Sequence, residues 1–219
     1  APGVTFTQVT INKVSDSTAY PTFTIASGTT VPLGDNPTIA FNSTNANTGY
    51  YAYFVNNGTI TVGTGTFTFS VDGTITNSGT ISANQITSMT FPVDFTNSGT
   101  VSMTSVSTID FNGSFTNSGA GSSIFTAATP TITVAGSFTI ASGSTFPTLA
   151  TVTLDGAICT CSISASGVTF TQVVINKASN STGYPTFTVA SGTTLPLGDN
   201  PTIAFNDTNA NTGYYAYFV

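Results

Sequence analysis

The sequence repeats itself after 164 residues. Residues 4–55 return as residues 168–219, and only seven of these 52 positions differ. A long period with so few changes indicates one structural unit that is used more than once, and such self-similarity constrains the fold before any other pattern is considered. We therefore expect residues 1–164 to form one complete unit. Residues 165–219 should form the first third of a second, near-identical unit that stacks coaxially on the first.

A shorter rhythm of glycine-containing turns runs within the unit. Small residues followed by glycine recur every 20 to 30 residues, and seven such intervals separate Gly3 from its copy Gly167. Periods of this length are typical of solenoids, and the intervening segments are rich in Thr, Val, Ile, Phe and Tyr, which favour strands. We predict an all-β fold, a parallel β-solenoid with about 20–30 residues per coil and seven coils per unit. Tandem β-sandwich modules are the alternative.

Alternation within the strands predicts two internal ladders. An apolar residue stands between polar neighbours just before most glycine turns, and successive strand residues face opposite sides of a sheet. We expect one inward column made of Phe23, Ile75, Phe95, Phe115, Phe138 and Phe187. Asparagines precede Ser-Gly at intervals of 20, and a hydrogen-bonded corner ladder should contain Asn77, Asn97 and Asn117. Turn chemistry alone is the other reading of these asparagines.

The middle of the unit resembles the coils of large bacterial surface proteins, the filamentous-haemagglutinin and autotransporter-adhesin type of β-helix. The likeness is carried by residues 73–81, 95–101 and 115–119, each of which contains Thr-Asn-Ser-Gly. The resemblance implies an extracellular or cell-surface location and a structural fibre or adhesin stalk built from stacked repeats. From the repeat array and the hydroxyl-rich surface we expect the partners to be copies of the protein itself, stacked lengthwise or bundled laterally, together with glycans or surfaces.

Composition argues against catalysis. Lys13 and Lys177 are the only basic residues, and the eight acidic residues are all Asp. Because His and Glu are missing, neither a His-based triad nor a His-ligated metal site can be built, and we expect no enzymatic activity and no cofactor. The net charge of −6 argues against nucleic-acid binding, which depends on clustered Lys and Arg. No apolar run reaches the ~20 residues of a membrane-spanning helix.

Two pairs of residues leave alternatives open. We expect Lys13 and Lys177 to be solvated, and an isopeptide bond to Asn or Asp is the other reading. Cys159 and Cys161 share one face of a strand, which favours two buried thiols that behave as small apolar groups. A disulfide between them would require the strand to bend, because side chains two residues apart in an extended strand lie ~6–7 Å apart.

The longest interval between glycine turns, residues 28–58, should carry an outward loop. Loops on rigid scaffolds often carry function, and we expect this one to serve lateral contact between fibres or glycan binding. Its candidate contact residues are Asp35, Asn36, Tyr50, Tyr51 and Tyr53. A strand whose tyrosines cap the core is the alternative. Candidate N-glycosylation sequons begin at Asn42, Asn57, Asn112, Asn180 and Asn206.

Ice binding by a Thr-rich β-solenoid is the alternative function. Thr-x-Thr pairs stacked on a flat face could match the spacing of ice, and such pairs occur at residues 5–7, 66–68, 74–76, 131–133 and 151–153. The uneven turn spacing and the Ser or Asp residues that interrupt the threonines argue against this function.

Overall fold

The computed structural model describes residues 8–16, 18–119, 122–125, 130–146, 150–157, 159–179, 182–199, 201, 203–207, 213 and 215–219. These residues form 23 short strands and one 3-10 turn, Ala46–Thr48. The strands follow one another in nine coils, and each coil begins a new rung of the same sheets.

Coils 1 to 5 have three strands each. Coil 1 contains β1 (Ile11–Ser15), β2 (Thr22–Ile25) and β3 (Thr30–Pro32). Coil 2 contains β4 (Thr38–Ser43), β5 (Tyr53–Asn56) and β6 (Thr59–Thr61). Coil 3 contains β7 (Thr64–Val71), β8 (Ile75–Asn77) and β9 (Thr80–Ser82). Coil 4 contains β10 (Gln85–Phe91), β11 (Phe95–Asn97) and β12 (Thr100–Met103). Coil 5 contains β13 (Thr108–Phe111), β14 (Phe115–Asn117) and β15 (Ser122–Phe125).

Coils 6 to 9 have two strands each among the described residues. Coil 6 contains β16 (Thr131–Val134) and β17 (Phe138–Ile140). Coil 7 contains β18 (Thr151–Leu154) and β19 (Cys161–Ser164). Coil 8 contains β20 (Gln172–Ser179) and β21 (Thr186–Val189). Coil 9 contains β22 (Ile203–Asp207) and β23 (Tyr217–Phe218).

Two nine-stranded parallel sheets, A and B, pass through all nine coils, and a five-stranded parallel sheet C passes through coils 1 to 5. The first strand of every coil belongs to sheet A, the second to sheet B and the third to sheet C, and each strand pairs with its equivalent in the next coil. All of these pairings are parallel, and Phe95, for example, lies opposite Phe115, one coil further along the chain. The predicted parallel β-solenoid is therefore confirmed. The sandwich alternative is wrong, because sandwich sheets are antiparallel.

A continuous apolar core fills the space between the sheets. Alternate residues of each strand point inward, and aromatic rings from successive coils stack along the axis. The ring centroids of Phe69 and Phe91 lie 5.1 Å apart, and those of Phe91 and Phe111 lie 4.8 Å apart. Burying a side chain of this size contributes roughly 2–3 kcal/mol, and the stacking ties each coil to both neighbours.

The glycine rhythm reflects close packing at one corner. A Cβ atom on Gly79 would collide with the carbonyl oxygen of Gly58, and a Cβ atom on Gly99 would collide with that of Gly79. Neither position has a positive φ, so the requirement is space for the coil below rather than an unusual backbone conformation. At Gly79 and Gly99 glycine is required because only a residue without a side chain lets these backbones touch. Gly28, Gly119, Gly143 and Gly167 instead have open space at the Cβ position and a positive φ, which glycine adopts without strain.

The second copy of the repeat pairs in the same way as the first. Ile11 lies opposite Ile39 in sheet A, and the copies of these residues, Ile175 and Ile203, lie opposite each other as well. The first strands of the two copies, β1 and β20, lie in coils 1 and 8, so one repeat corresponds to seven coils. Coil 8 continues directly on coil 7, since β18 pairs with β20 and β19 pairs with β21.

Candidate functional site

Sheet B contains the apolar column expected from alternation, with one addition and one correction. Phe95 lies opposite Ile75 on one side and Phe115 on the other, and the column continues to Phe138. At its start, Phe23 and Ile75 are joined through Phe54, which the sequence pattern missed.

Phe187 was wrongly assigned to this column. It is buried, but it lies opposite Cys161, and the column passes instead from Phe138 through Ile163 to Val189. The reason is the corner before β19, residues 155–160, which is twice as long as the corner before β17, residues 135–137. Because the corner is longer, β19 begins at Cys161, two residues before Ile163, which occupies the column position. Phe187 lies opposite Cys161.

The asparagines form a buried ladder at the end of sheet B. Asn77 Nδ2 donates to Asn97 Oδ1 at 2.7 Å, and Asn97 Nδ2 donates to Asn117 Oδ1 at 2.8 Å. The structure adds Asn56, whose Nδ2 donates to Asn77 Oδ1 at 2.7 Å. All four side chains are fully buried. Because each amide donates to the next, a buried polar column stands in the core without unpaired groups.

Backbone oxygens complete the ladder. Asn77 Nδ2 also donates to the carbonyl of Thr100, and Asn117 Nδ2 donates to the carbonyl of Thr145. The neighbouring positions beyond the two ends are Ile25 and Ile140, which lie opposite Asn56 and Asn117. The ladder therefore occupies coils 2 to 5 and is replaced by apolar packing on either side.

The five candidate contact residues do not lie on one loop, which corrects the sequence interpretation. Strand β4 separates Asp35 and Asn36 from the tyrosines. Asp35 Oδ1 accepts hydrogen bonds from the backbone N–H and the hydroxyl of Thr64, which lower the pKa of the Asp35 carboxyl. Asn36 has a φ of 45° and accepts from Thr66 N–H. These two residues therefore brace a turn against the next coil.

The tyrosines lie at the corner between sheets A and B. Tyr20 joins them, with its ring centroid 5.7 Å from Tyr50 and 5.9 Å from Tyr53. Tyr20 was missed because it belongs to the previous coil and follows no glycine turn. The cluster recurs in the second copy, where the rings of Tyr184 and Tyr217 are 6.3 Å apart.

A groove of about 350 Å³ follows the same corner across four coils. Its wall includes Tyr51 and Tyr53 from coil 2, Asp72 from coil 3, Asp94 from coil 4 and Asn112 from coil 5. Asp72 accepts backbone hydrogen bonds at the two ends of the tyrosine loop and so fixes its position. Aromatic rings beside carboxylate and amide groups offer both apolar and hydrogen-bonding contacts to a ligand.

Cys159 and Cys161 form a disulfide, so the favoured expectation of two buried thiols is wrong. The Cα atoms are 5.3 Å apart. The chain bends at Thr160, and β19 begins only at Cys161. The bend is the condition under which two cysteines at this spacing can be bridged.

The expectation of two solvated lysines holds for Lys13 and fails for Lys177. Lys177 points inward from β20 and has no exposed surface. Its Nζ donates to the carbonyl oxygens of Ala135 and Asp155, each at 2.5 Å. Burial lowers the pKa of Lys177 to about 8, and the nearby Asp155 carboxylate opposes part of that shift. The two carbonyls explain how a basic group is accommodated in the core.

The sequons differ in accessibility. Asn57, Asn112 and Asn206 are exposed, whereas Asn42 is half-buried and donates to the hydroxyl of Ser70 at 3.3 Å. Asn180 lies outside the described residues. Three of the five candidate glycosylation sites are therefore sterically open.

The outer side of sheet A carries two columns of polar side chains, nine of them hydroxyls and one a carboxylate, which we term the hydroxyl grid. Five consecutive coils contribute two residues each, and the pairings place them in register. The first column consists of Thr66, Ser88, Thr108, Thr131 and Thr151, and the second of Thr68, Thr90, Asp110, Thr133 and Thr153. Three of these pairs, at residues 66–68, 131–133 and 151–153, were predicted from the sequence. The predicted pair 74–76 lies at β8 of sheet B, and the pair 5–7 lies outside the described residues. The alignment of the grid depends on the register of sheet A.

The grid is regular in both directions. Rungs of a parallel sheet repeat every ~4.8 Å, and side chains two residues apart lie ~6.6 Å apart along each strand. Adjacent members also bond to each other: Ser88 donates to Thr66 at 3.1 Å, and Thr133 donates to Asp110 at 2.6 Å. The surface is thus a regular lattice of hydroxyl and methyl groups with one carboxylate.

These features define the chain as a tandem-repeat parallel β-solenoid. Comparison with protein-family models, curated proteins and solved structures finds no match. Within the ranges described above, no helix is long and apolar enough to cross a membrane. Among the same residues, no group of three or more His, Cys, Asp or Glu side chains could hold a metal ion.

Proposed function

We propose that the protein is a structural component of an extracellular or cell-surface fibre or adhesin stalk, in which tandem repeats stack into one rod. The observation that supports this most is the continuity of the sheets between the two copies. Thr151 lies opposite Gln172, and Leu154 lies opposite Ile175, so sheet A crosses from one repeat into the next as an ordinary rung. A joint of this kind extends a rod by a fixed length for each repeat added.

The surface chemistry supports the same role. Charged residues make up 5% of the chain, and the outward positions of the sheets are mostly Thr and Ser. Such a surface suits lateral bundling, because side-by-side contact would bury few charges. The Cys159–Cys161 disulfide suits an oxidising compartment, where such bonds form and persist. The tyrosine corner and its groove are the surfaces that we assign to glycan or lateral contact.

Electron microscopy of a chain with several repeats tests this function. Seven coils at ~4.8 Å per rung give ~34 Å of length per repeat. We expect thin, unbranched rods whose length grows by that amount with each added repeat. Dispersed globules, or beads joined by flexible linkers, would rule out the stalk.

Ice binding is a second candidate, and the hydroxyl grid is the observation that favours it. A regular lattice of Thr hydroxyl and methyl groups can hold water molecules at fixed positions, and five coils contribute to it. The uneven turn spacing is no obstacle, because the extra residues leave the strands at corners and the strands of sheet A remain in register.

The grid gives this candidate a direct test in an ice-recrystallisation assay. Thr131→Lys places a charge in the middle of the grid, and Thr116→Lys places the same charge on the outer side of sheet B as the matched control. Ice binding through the grid predicts that the native chain and Thr116→Lys are active and that Thr131→Lys is not. Equal activity in both variants, or none in the native chain, removes this candidate.

A further inference from the structure

Lys13 and Lys177 occupy equivalent positions in the two copies but differ in exposure. Lys13 lies opposite Phe41 in β4, and Lys177 lies opposite Phe205 in β22. Lys13 is exposed, whereas Lys177 has no exposed surface. The difference lies beneath them: coil 8 rests on coil 7, while no coil lies beneath coil 1 among the described residues.

Lys177 joins three coils at one corner. From coil 8 it reaches past coil 7, and its Nζ donates to Asp155 O in coil 7 and to Ala135 O in coil 6. The corners of coils 5 to 7 are linked by backbone hydrogen bonds, from Ala135 N to Phe111 O and from Asp155 N to Val134 O. The corner of coil 7 is longer, and, among the described residues, the backbone hydrogen bonds that link the corners of coils 5 to 7 are not continued into coil 8. There the Lys177 ammonium group supplies the donors instead. Buried carbonyls need such donors, since leaving them unpaired is costly.

The burial of an equivalent pair of phenylalanines differs between the two copies in the same way as the burial of the lysines. Phe187 is fully buried on Cys161, whereas its copy Phe23 is only half-buried. The edge strands of coil 1 also present backbone groups that have no partner strand beneath them in the described ranges. An open edge of this kind favours pairing with another strand.

We propose that the coil 1 end of the repeat is a binding surface for the coil 7 end of another copy of the same repeat. Lys13 would donate to the Ala135 and Asp155 carbonyls of that copy, as Lys177 does here. The occupant follows from the joint already present between coils 7 and 8, and from the identity of the segment Ile-Asn-Lys in both copies. This inference rests on the proposed stacking of repeats and assigns its specific contact.

Lysine acylation of an extended chain tests the proposal. Residues 4–167 are duplicated in place, which gives a chain with three such lysines, and modification by an N-hydroxysuccinimide acetate is followed by peptide mapping. In the native chain we expect Lys13 to react and Lys177 to be protected. In the extended chain the Lys13 of the inserted copy should react at least about tenfold more slowly than the first Lys13, as expected of a group that reacts only after local opening. Equal rates at these two lysines would overturn the proposal.

Two variants of the native chain keep the proposal testable if the extended chain does not fold. Lys177→Met should lower the melting temperature, while Lys13→Met, the same change at the open end, should leave it unchanged. Equal changes in melting temperature for the two variants, or no change for Lys177→Met, would show that the lysine does not stabilise the joint. The outcomes are separable from those of the proposed function: protected lysines in a chain that forms globules would retain the joint and reject the stalk.

Discussion

Asn77 and Asn97 lie one above the other in successive coils, with Nδ2 and Oδ1 2.7 Å apart and both side chains fully buried. The contact shows how a solenoid uses an identical residue at an identical place in each coil. The amide has a donor on one side and an acceptor on the other, so neighbours in the stack satisfy each other, and Asn117 at its end donates to the carbonyl of Thr145. Such a column also fixes the register, because a slip would set Asn against apolar neighbours.

The ladder predicts a large effect of replacing one internal member. Asn97→Leu should lower the free energy of unfolding by about 2–3 kcal/mol, since Asn117 and Asn77 each lose a buried partner. Chemical denaturation measures this, and Asn57→Leu, at an exposed corner position, should change stability by less than about 0.5 kcal/mol. Equal effects at the two positions would mean that the ladder does not stabilise the fold.

Burial of Lys177 predicts a pH dependence with a defined sign. The pKa of Lys177 is about 8 in the folded chain against an ordinary value of 10.5. Below about pH 8 both states carry the proton, and the penalty for the buried charge is fully present. Between about pH 8 and 10.5 the folded chain binds fewer protons than the unfolded chain, so the free energy of unfolding should rise. Denaturation curves of the native chain and of Lys177→Met isolate this term, and a fall relative to the variant would contradict it.

Close packing at the glycine corner predicts a contrast between two Asn-Ser-Gly turns. In Gly99→Ala the new methyl group would meet the carbonyl oxygen of Gly79, and the coils would have to separate. We expect a loss of about 2 kcal/mol or more. Gly119 has open space around its Cβ position and a φ of 65°, so Gly119→Ala should cost only about 1 kcal/mol from backbone strain. Thermal unfolding of both variants would detect the difference, and the reverse order would contradict the packing.

The disulfide should contribute little to global stability. The bridge closes a loop of only three residues, and the chain-entropy model gives less than about 2 kcal/mol for so short a loop. We expect the Cys159→Ser, Cys161→Ser double variant to keep its fold and its cooperative transition. Complete unfolding of this variant would show that the corner of coil 7 depends on the bridge.

The sequence was sufficient for features that depend on neighbouring residues. The alternation in Phe95-Thr96-Asn97 correctly predicts which side chains point inward, and the glycine rhythm predicts the number of coils. Asn56 escaped notice because Asn57-Gly58 follows it in place of Ser-Gly, although its place in the coil is the same. The local pattern is reliable for these features because equivalent residues of successive coils occupy the same environment in the sheets and core.

Features that depend on distant coils could not be read in this way. Lys13 and Lys177 share the local sequence Ile-Asn-Lys, yet only Lys177 is buried, and its partners lie 22 and 42 residues away. The disulfide was disfavoured because alternation assumes an extended strand, whereas the chain bends before Cys161. The register of Phe187 depends on the same bend. The length of a corner is not visible until the strands on either side are known.

Small-angle X-ray scattering tests the coaxial solenoid most directly. The native chain is compared with the chain in which residues 4–167 are duplicated. Seven additional rungs predict that the maximum dimension grows by ~34 Å while the cross-sectional radius of gyration stays the same. A larger cross-section, or an increase in length that departs clearly from this value, would contradict the stacking of the repeats.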